Sequence, residues 1–166
     1  MDGKKQVNLQ IKTANPNDAL VVASLVMDLT TEICFRCNDQ KQFHRDTALT
    51  SDLCALWISD NCYTALIAYA HEKPIGVATI AESYALYAGG KIGIIQEFYV
   101  APDHREQGVG NKLIDVALSL AAERDWACME LCTPPLPEFK QTIDFYQKYD
   151  FISVGGRKMR RQCKPA

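Results

Sequence analysis

A chain of 166 residues with 48% apolar content is long enough for one domain with a sizeable core. Its 18 basic and 20 acidic side chains leave a net charge of −2, which gives no field for nucleic acid and excludes that partner class. No run of about 18 apolar residues exists, and the start, Met1-Asp2-Gly3-Lys4-Lys5, lacks a signal peptide's apolar segment, so no membrane partner is expected and a cytoplasmic location is.

In chain order, Leu9, Ile11 and Thr13 alternate with polar residues and predict a strand ending before Asn15-Pro16-Asn17-Asp18. Asp18 or Asn17 then caps a helix whose apolar face is Leu20, Val21, Val22, Leu25, Val26 and Leu29. Residues 34–45 are mixed and weakly periodic. A second helix is predicted over 46–59 with Leu49, Leu53, Leu56 and Trp57 inward. Strands over 63–69 and 75–83 flank the hairpin-sized turn His71-Glu72-Lys73-Pro74. Residues 84–90 lead to a buried strand, Ile92, Ile94, Ile95, Phe98 and Val100, which stops at Pro102. A helix ending near Arg124-Asp125 and a short strand over 128–132 follow. After Pro134-Pro135-Leu136-Pro137 comes a helix over 138–149, then a last strand over 151–154 that Gly155-Gly156 turns and Lys158-Met159-Arg160 continues. The basic tail Arg157-Lys158-x-Arg160-Arg161 reads as a solvated strand end. With no internal repeat or linker, the pattern predicts one α+β domain over 1–166: a mixed, mostly antiparallel sheet with helices on both faces, an α/β/α sandwich.

Seven cysteines include the pair Cys34-x-x-Cys37, but no second pair or nearby His completes a metal site, so no metal is expected. The expectation is reduced, mostly buried thiols serving as small hydrophobes. A redox module would need a thioredoxin-like strand before the pair, whereas Cys34 follows a helical pattern.

The informative stretch runs from Gln96 to Lys112. A strand ends in a glycine-broken turn and opens a helix, whose first N–H groups lack internal partners and whose dipole favours an anion. Glycine at 108 and 110 lets that anion approach the backbone. Spacing excludes the dinucleotide fingerprint, because Leu113 stands where a third glycine is required, and Gly108-Val109-Gly110 cannot supply a P-loop. What remains, Arg105-x-x-Gly108-x-Gly110 after Phe98-Tyr99-Val100 and Pro102, resembles the Arg/Gln-x-x-Gly-x-Gly/Ala signature of the GNAT N-acetyltransferases, which bind acetyl-coenzyme A. The likeness covers about 92–151 and is faint before that.

The resemblance implies a GNAT-like acyl-CoA N-acyltransferase fold and transfer of an acetyl group from acetyl-CoA to a primary amine of a small molecule or peptide. It places the main chain of Phe98, Tyr99 and Val100 along the pantetheine arm, one N–H there facing the thioester carbonyl. Arg105, Glu106, Gln107, Gly108, Val109, Gly110 and Asn111 enclose the pyrophosphate, with Lys112 as a further cation. The helix over 46–59 borders the acceptor site. Glu97, the one carboxylate in an otherwise apolar strand, is the first candidate base, Glu130 the competitor, and a structural ion pair the bland reading of Glu97. Tyr146 is the candidate acid, set against a packed tyrosine bonded to backbone. Two departures stand out. Asp150 replaces the family's usual Gly before Phe151, which suggests a different helix end, and Phe139 replaces a customary Asn seven residues before the tyrosine, leaving Thr142 to contribute. The rival function is a non-catalytic acyl-CoA sensor that keeps the cradle without needing Glu97 or Tyr146. The sequence leaves the acceptor and the oligomeric state, monomer or homodimer, open.

Overall fold

A computed structural model describes residues 8–39, 43–156 and 158–163. The chain forms two compact units divided after Leu131.

The first unit is built on a five-stranded sheet in the order β1 (Leu9–Thr13), β2 (Tyr63–Ala70), β3 (Lys73–Ala85), β4 (Gly90–Val100) and β5 (Cys128–Leu131). Every neighbouring pair is antiparallel except β4–β5. Alternation along the strands sends Ala65, Ile67, Val77 and Tyr99 to one face, where they form a core with Val22, Leu25 and Val26 of α1 (Ala19–Cys37) and Cys54 of α2 (Thr47–Ser59). Leu66, Ala68, Ala78 and Ile80 turn to the other face, where α3 (Val109–Glu123) buries Leu113, Ile114 and Ala117. A Cβ added to Gly76 would meet the Leu113 side chain at 3.4 Å, so helix and strand touch there. Each such buried aliphatic side chain stabilises the unit by about 1.5–3 kcal/mol. Gly93 is required for a similar reason: a Cβ on it would lie 2.3 Å from the Trp126 ring, whose Nε1 donates to Glu82 Oε2 at 2.7 Å. No helix among the described residues is long and apolar enough to cross a membrane.

Several expectations need correction here. Asp18 stands at the N-cap of the first helix, but its side chain makes no cap bond there and turns back to Asn15 N–H; Asn15, accepting from Asn17 N–H, caps the short 3-10 turn before it. The helix runs on to Cys37 and stops at left-handed Asn38, with Leu20 on its exposed side. In α2, capped by Asp46, the inward residue is Cys54, whereas Leu49, Leu56 and Trp57 are exposed. All seven cysteines are free thiols, but they are not mostly buried: only Cys34 and Cys54 are, while Cys62, Cys128, Cys132 and Cys163 are exposed.

The second unit, from Cys132 onward, carries α4 (Lys140–Gln147). Asp150, at φ +60°, takes the left-handed position a glycine usually holds, and Phe151 N–H bonds back to Tyr146 O. The helix therefore closes in the common left-handed way despite the aspartate. The expected strand over 151–154 and its return over 158–160 are not formed. Ile152 and Val154 are both exposed, and no ladder pairs them. Arg157 of the basic tail and residues 1–7 and 40–42 lie outside the described residues.

Candidate functional site

The site of the first unit is organised by an irregularity in β4. Thr79 pairs with Glu97 but Ile80 pairs with Ile95, so Gln96 is an extra, bulged residue. One inserted residue turns every later side chain to the opposite face. Glu97 thereby joins Thr79 and Ala81 on the α1–α2 side of the sheet. The bulge also marks where β4 loses its outer neighbour, because β5 pairs only with Ile92–Ile95. Beyond it, Glu97 N–H and Ala101 N–H point to the β3 side, donating to Thr79 Oγ1 and Ile75 O. Alternation then turns the main chain of Phe98 and Val100 to the side that β5 no longer covers.

After Val100 the chain makes a 3-10 turn, Pro102–His104, and reaches α3 through Glu106 at φ +61° and Gly108 at φ +81°. A Cβ at Gly108 would meet nothing within 4 Å, so glycine is needed there for its dihedral, and the space above it is open. Gly108 caps α3 without a side-chain bond, and the first backbone bond of the helix is Lys112 N–H to Gly108 O at 3.1 Å. Among the described residues, nothing accepts from the N–H groups of Gly108, Val109, Gly110 and Asn111. Unpaired donors at a helix start, with the positive dipole end behind them, suit an anion.

The cations of this loop are occupied elsewhere. Arg105 donates through both terminal nitrogens to Glu32 of α1, at 3.0 and 2.5 Å, and through Nε to Val100 O at 2.9 Å; its guanidinium lies 5.8 Å from the Tyr99 ring centre. Burial alone would push Glu32 up, but the Arg105 hydrogen bond and charge, with Arg36, hold it below the usual carboxylate range. Lys112 reaches Leu9 O at 3.3 Å, Gln107 Nε2 donates to Asp103 O at 2.8 Å, and Glu106 is exposed. The cradle, as it stands, is a backbone site.

On the α1–α2 face, an open cleft of about 450 Å³ is lined by Trp57, Tyr63, Ala81, Glu82, Gln96 and Glu97. No Lys, Arg or His among the described residues lines it. Trp57 and Tyr63 stand 5.5 Å apart, centre to centre. The Tyr63 hydroxyl donates to Glu97 Oε2 at 2.5 Å and lies 2.9 Å from Thr79 Oγ1, and the Thr79 hydroxyl makes a short bond to the same Oε2. Burial first, then the Glu97 charge, pushes the Tyr63 phenol far above its ordinary value; the same two causes push the Cys54 thiol up to about 11. Both stay neutral, so the carboxylate has neutral hydroxyl donors and, among the described residues, no cation bonded to it. Glu130, in register with Ile94 on β5, accepts from Tyr87 at 2.6 Å and does not line this cleft. Sequence reasoning found Glu97 but not Tyr63 or Thr79, which only the strand pairing brings to it.

In the second unit, Tyr146 is buried, its ring edge-on to Phe145 and Phe151 at 5.2 and 5.5 Å. Burial pushes its pKa up, keeping the phenol protonated at any physiological pH. Thr142 and Phe139 stand one and two turns before it on the same side of the helix.

The acetyltransferase (GNAT) domain family matches residues 61–153, more than half of the chain. No curated protein matches in sequence. Solved structures with the same fold include a ribosomal-protein-alanine N-acetyltransferase from Brucella melitensis biovar Abortus 2308 (TM-score 0.69, 21% identity, 93% of this chain and 99% of that one). A predicted acetyltransferase from Clostridium acetobutylicum, solved with acetyl-CoA, aligns at TM-score 0.76 and 17% identity over 92% of this chain and 96% of that one. An aminoglycoside N-acetyltransferase in complex with CoA aligns at TM-score 0.77 and 15% identity over 98% and 100%.

Proposed function

The chain belongs to the GNAT acetyltransferase domain family, and from that premise we propose that it transfers an acetyl group from acetyl-CoA to a primary amine of a small molecule or peptide, by direct attack in a ternary complex. The observation that carries this reading is β4 itself: one strand end offers a carboxylate on its face, an outer edge that β5 leaves, and a following loop of unpaired N–H groups. The residues suit the co-substrate. Open space above Gly108 and the donors of Gly108 to Asn111 match a diphosphate, and an extended amide chain can lie along Phe98 to Val100 as an added strand would.

At neutral pH an amine of pKa near 10.4 is almost wholly protonated, and removing its proton costs about 4 kcal/mol. Glu97, with one oxygen held by hydroxyls and no basic group in the cleft, is assigned that proton. The amine nitrogen then bonds to the thioester carbonyl carbon, the C–S bond breaks, the nitrogen releases its second proton to solvent to give the amide, and the sulfur takes a proton to leave as the thiol. Tyr146 is assigned as its donor; its raised pKa keeps it loaded while making it a weaker acid. The family match runs across the division after Leu131, which supports reading 1–166 as one catalytic domain. Incubation with acetyl-CoA and a panel of amines (tryptamine, spermidine, kanamycin and a peptide with N-terminal alanine), scored by free thiol, tests the reading. Release well above background with at least one amine is expected. Background release throughout, with acetyl-CoA still bound in calorimetry, would favour an acyl-CoA sensor.

A further inference from the structure

We propose that Tyr63 and Thr79 are positioning residues that hold the Glu97 carboxylate by one oxygen and leave the other open to the amine; this rests on the reading of Glu97 as the base. The three residues come from adjacent strands and meet only because the bulge at Gln96 brings Glu97 round to the Thr79 face. Thr79 closes a ring with a single residue. Its oxygen accepts from Glu97 N–H at 3.1 Å while its hydroxyl bonds to Glu97 Oε2, so main chain and carboxylate are tied through one side chain. Thr79 is 0% exposed in the otherwise apolar run Val77 to Ile80, where an unpaired hydroxyl would be costly. Its side-chain partners among the described residues are Tyr63 and Glu97 alone.

Tyr63 adds the second donor to the same oxygen, from a ring fixed against Trp57. Among the described residues, every hydrogen bond to the carboxylate falls on Oε2. Oε1 has no protein partner, yet the sole buried side-chain nitrogen or oxygen without one among the described residues is His104 Nδ1. Oε1 is therefore reached by solvent, in the cleft that Glu97 lines. A carboxylate pinned at one oxygen loses little freedom when the amine arrives at the other. Among the described residues, the charged or titratable groups around it are Cys54 on α2, Cys62 just before β2, Tyr63 on β2 and Glu82 on β3; Glu82 is itself bonded by Lys91 and Trp126.

The test compares Tyr63→Phe, Thr79→Val, Thr79→Ser and Glu97→Gln by thiol release from acetyl-CoA with the best amine of the panel above, and by crystal structures. Tyr63→Phe and Thr79→Val each lower kcat about tenfold or more while KM for acetyl-CoA stays within about twofold. Thr79→Ser, which keeps the hydroxyl, recovers most of what Thr79→Val loses. In the Tyr63→Phe/Thr79→Val double variant the Glu97 carboxylate leaves its place on the sheet. A carboxylate unmoved in that double variant overturns the proposal, whatever the kinetics. So does wild-type kcat in both single variants, or a serine variant as impaired as the valine one. Wild-type kcat in Glu97→Gln instead removes the base assignment, and the crystal comparison still decides whether the two hydroxyls hold Glu97.

Discussion

The cradle after β4 and the cleft on the α1–α2 face share one strand and are built in opposite ways. The cradle is contiguous: residues 100–111 supply it, its donors are main-chain N–H groups, and its side chains are occupied elsewhere, Arg105 on Glu32 above all. The cleft is assembled from side chains of α2, β2, β3 and β4, and its central carboxylate depends on hydroxyls 34 and 18 positions away in the chain. A backbone site tolerates most side-chain changes and fails when the chain can no longer adopt its dihedrals. A side-chain site fails one functional group at a time. Binding and turnover should accordingly come apart under mutation.

The largest break is expected at Gly108. Gly108→Val puts a β-branched side chain at φ +81° and into the open space above the loop, so acetyl-CoA affinity should fall about a hundredfold or more by calorimetry. Normal affinity would contradict the backbone cradle. Next comes Glu97→Gln, with kcat lower by about 10²–10⁴ and acetyl-CoA affinity unchanged in the same calorimetric assay. If instead Glu130→Gln carries the kinetic loss, the cleft has been assigned to the wrong carboxylate.

Tyr146→Phe should reduce turnover by about 10–100-fold with little effect on affinity, read by stopped-assay thiol release; unchanged turnover removes the phenol from the mechanism. The smallest effect belongs to the Arg105–Glu32 pair. Because these side chains are partly exposed, Glu32→Gln should cost only about 0.5–1 kcal/mol by urea unfolding. Glu32 is held below its unfolded value, so its stabilisation is present above the ordinary carboxylate pKa and is lost as pH falls through the lower, folded one. The gap between wild type and Glu32→Gln should close in acid. A large drop in acetyl-CoA affinity in this variant would mean that Arg105 serves the ligand directly.

The same contrast explains what could be read from the sequence. The strand–turn–helix passage after Val100 is legible because glycine spacing, Pro102 and the helix periodicity lie within one short stretch. Strand and helix limits there and in α2 are recovered closely, 92–100 against Gly90–Val100 and 46–59 against Thr47–Ser59. Glu97 was visible as a lone charge among apolar residues, but the bulge at Gln96 that aims it leaves no compositional trace, and neither does its pairing with Tyr63 and Thr79. Trp57 reads as inward because it is apolar, whereas it walls a cleft. The strand expected over 151–154 failed since alternation signals a strand only where a ladder partner exists.

A crystal structure of the wild-type chain with coenzyme A bears most directly on all of this. The diphosphate should lie within hydrogen-bond distance of the N–H groups of Gly108 to Asn111, with the pantetheine arm along Phe98 to Val100. A diphosphate bound by side chains at another place, with that loop empty, would contradict it.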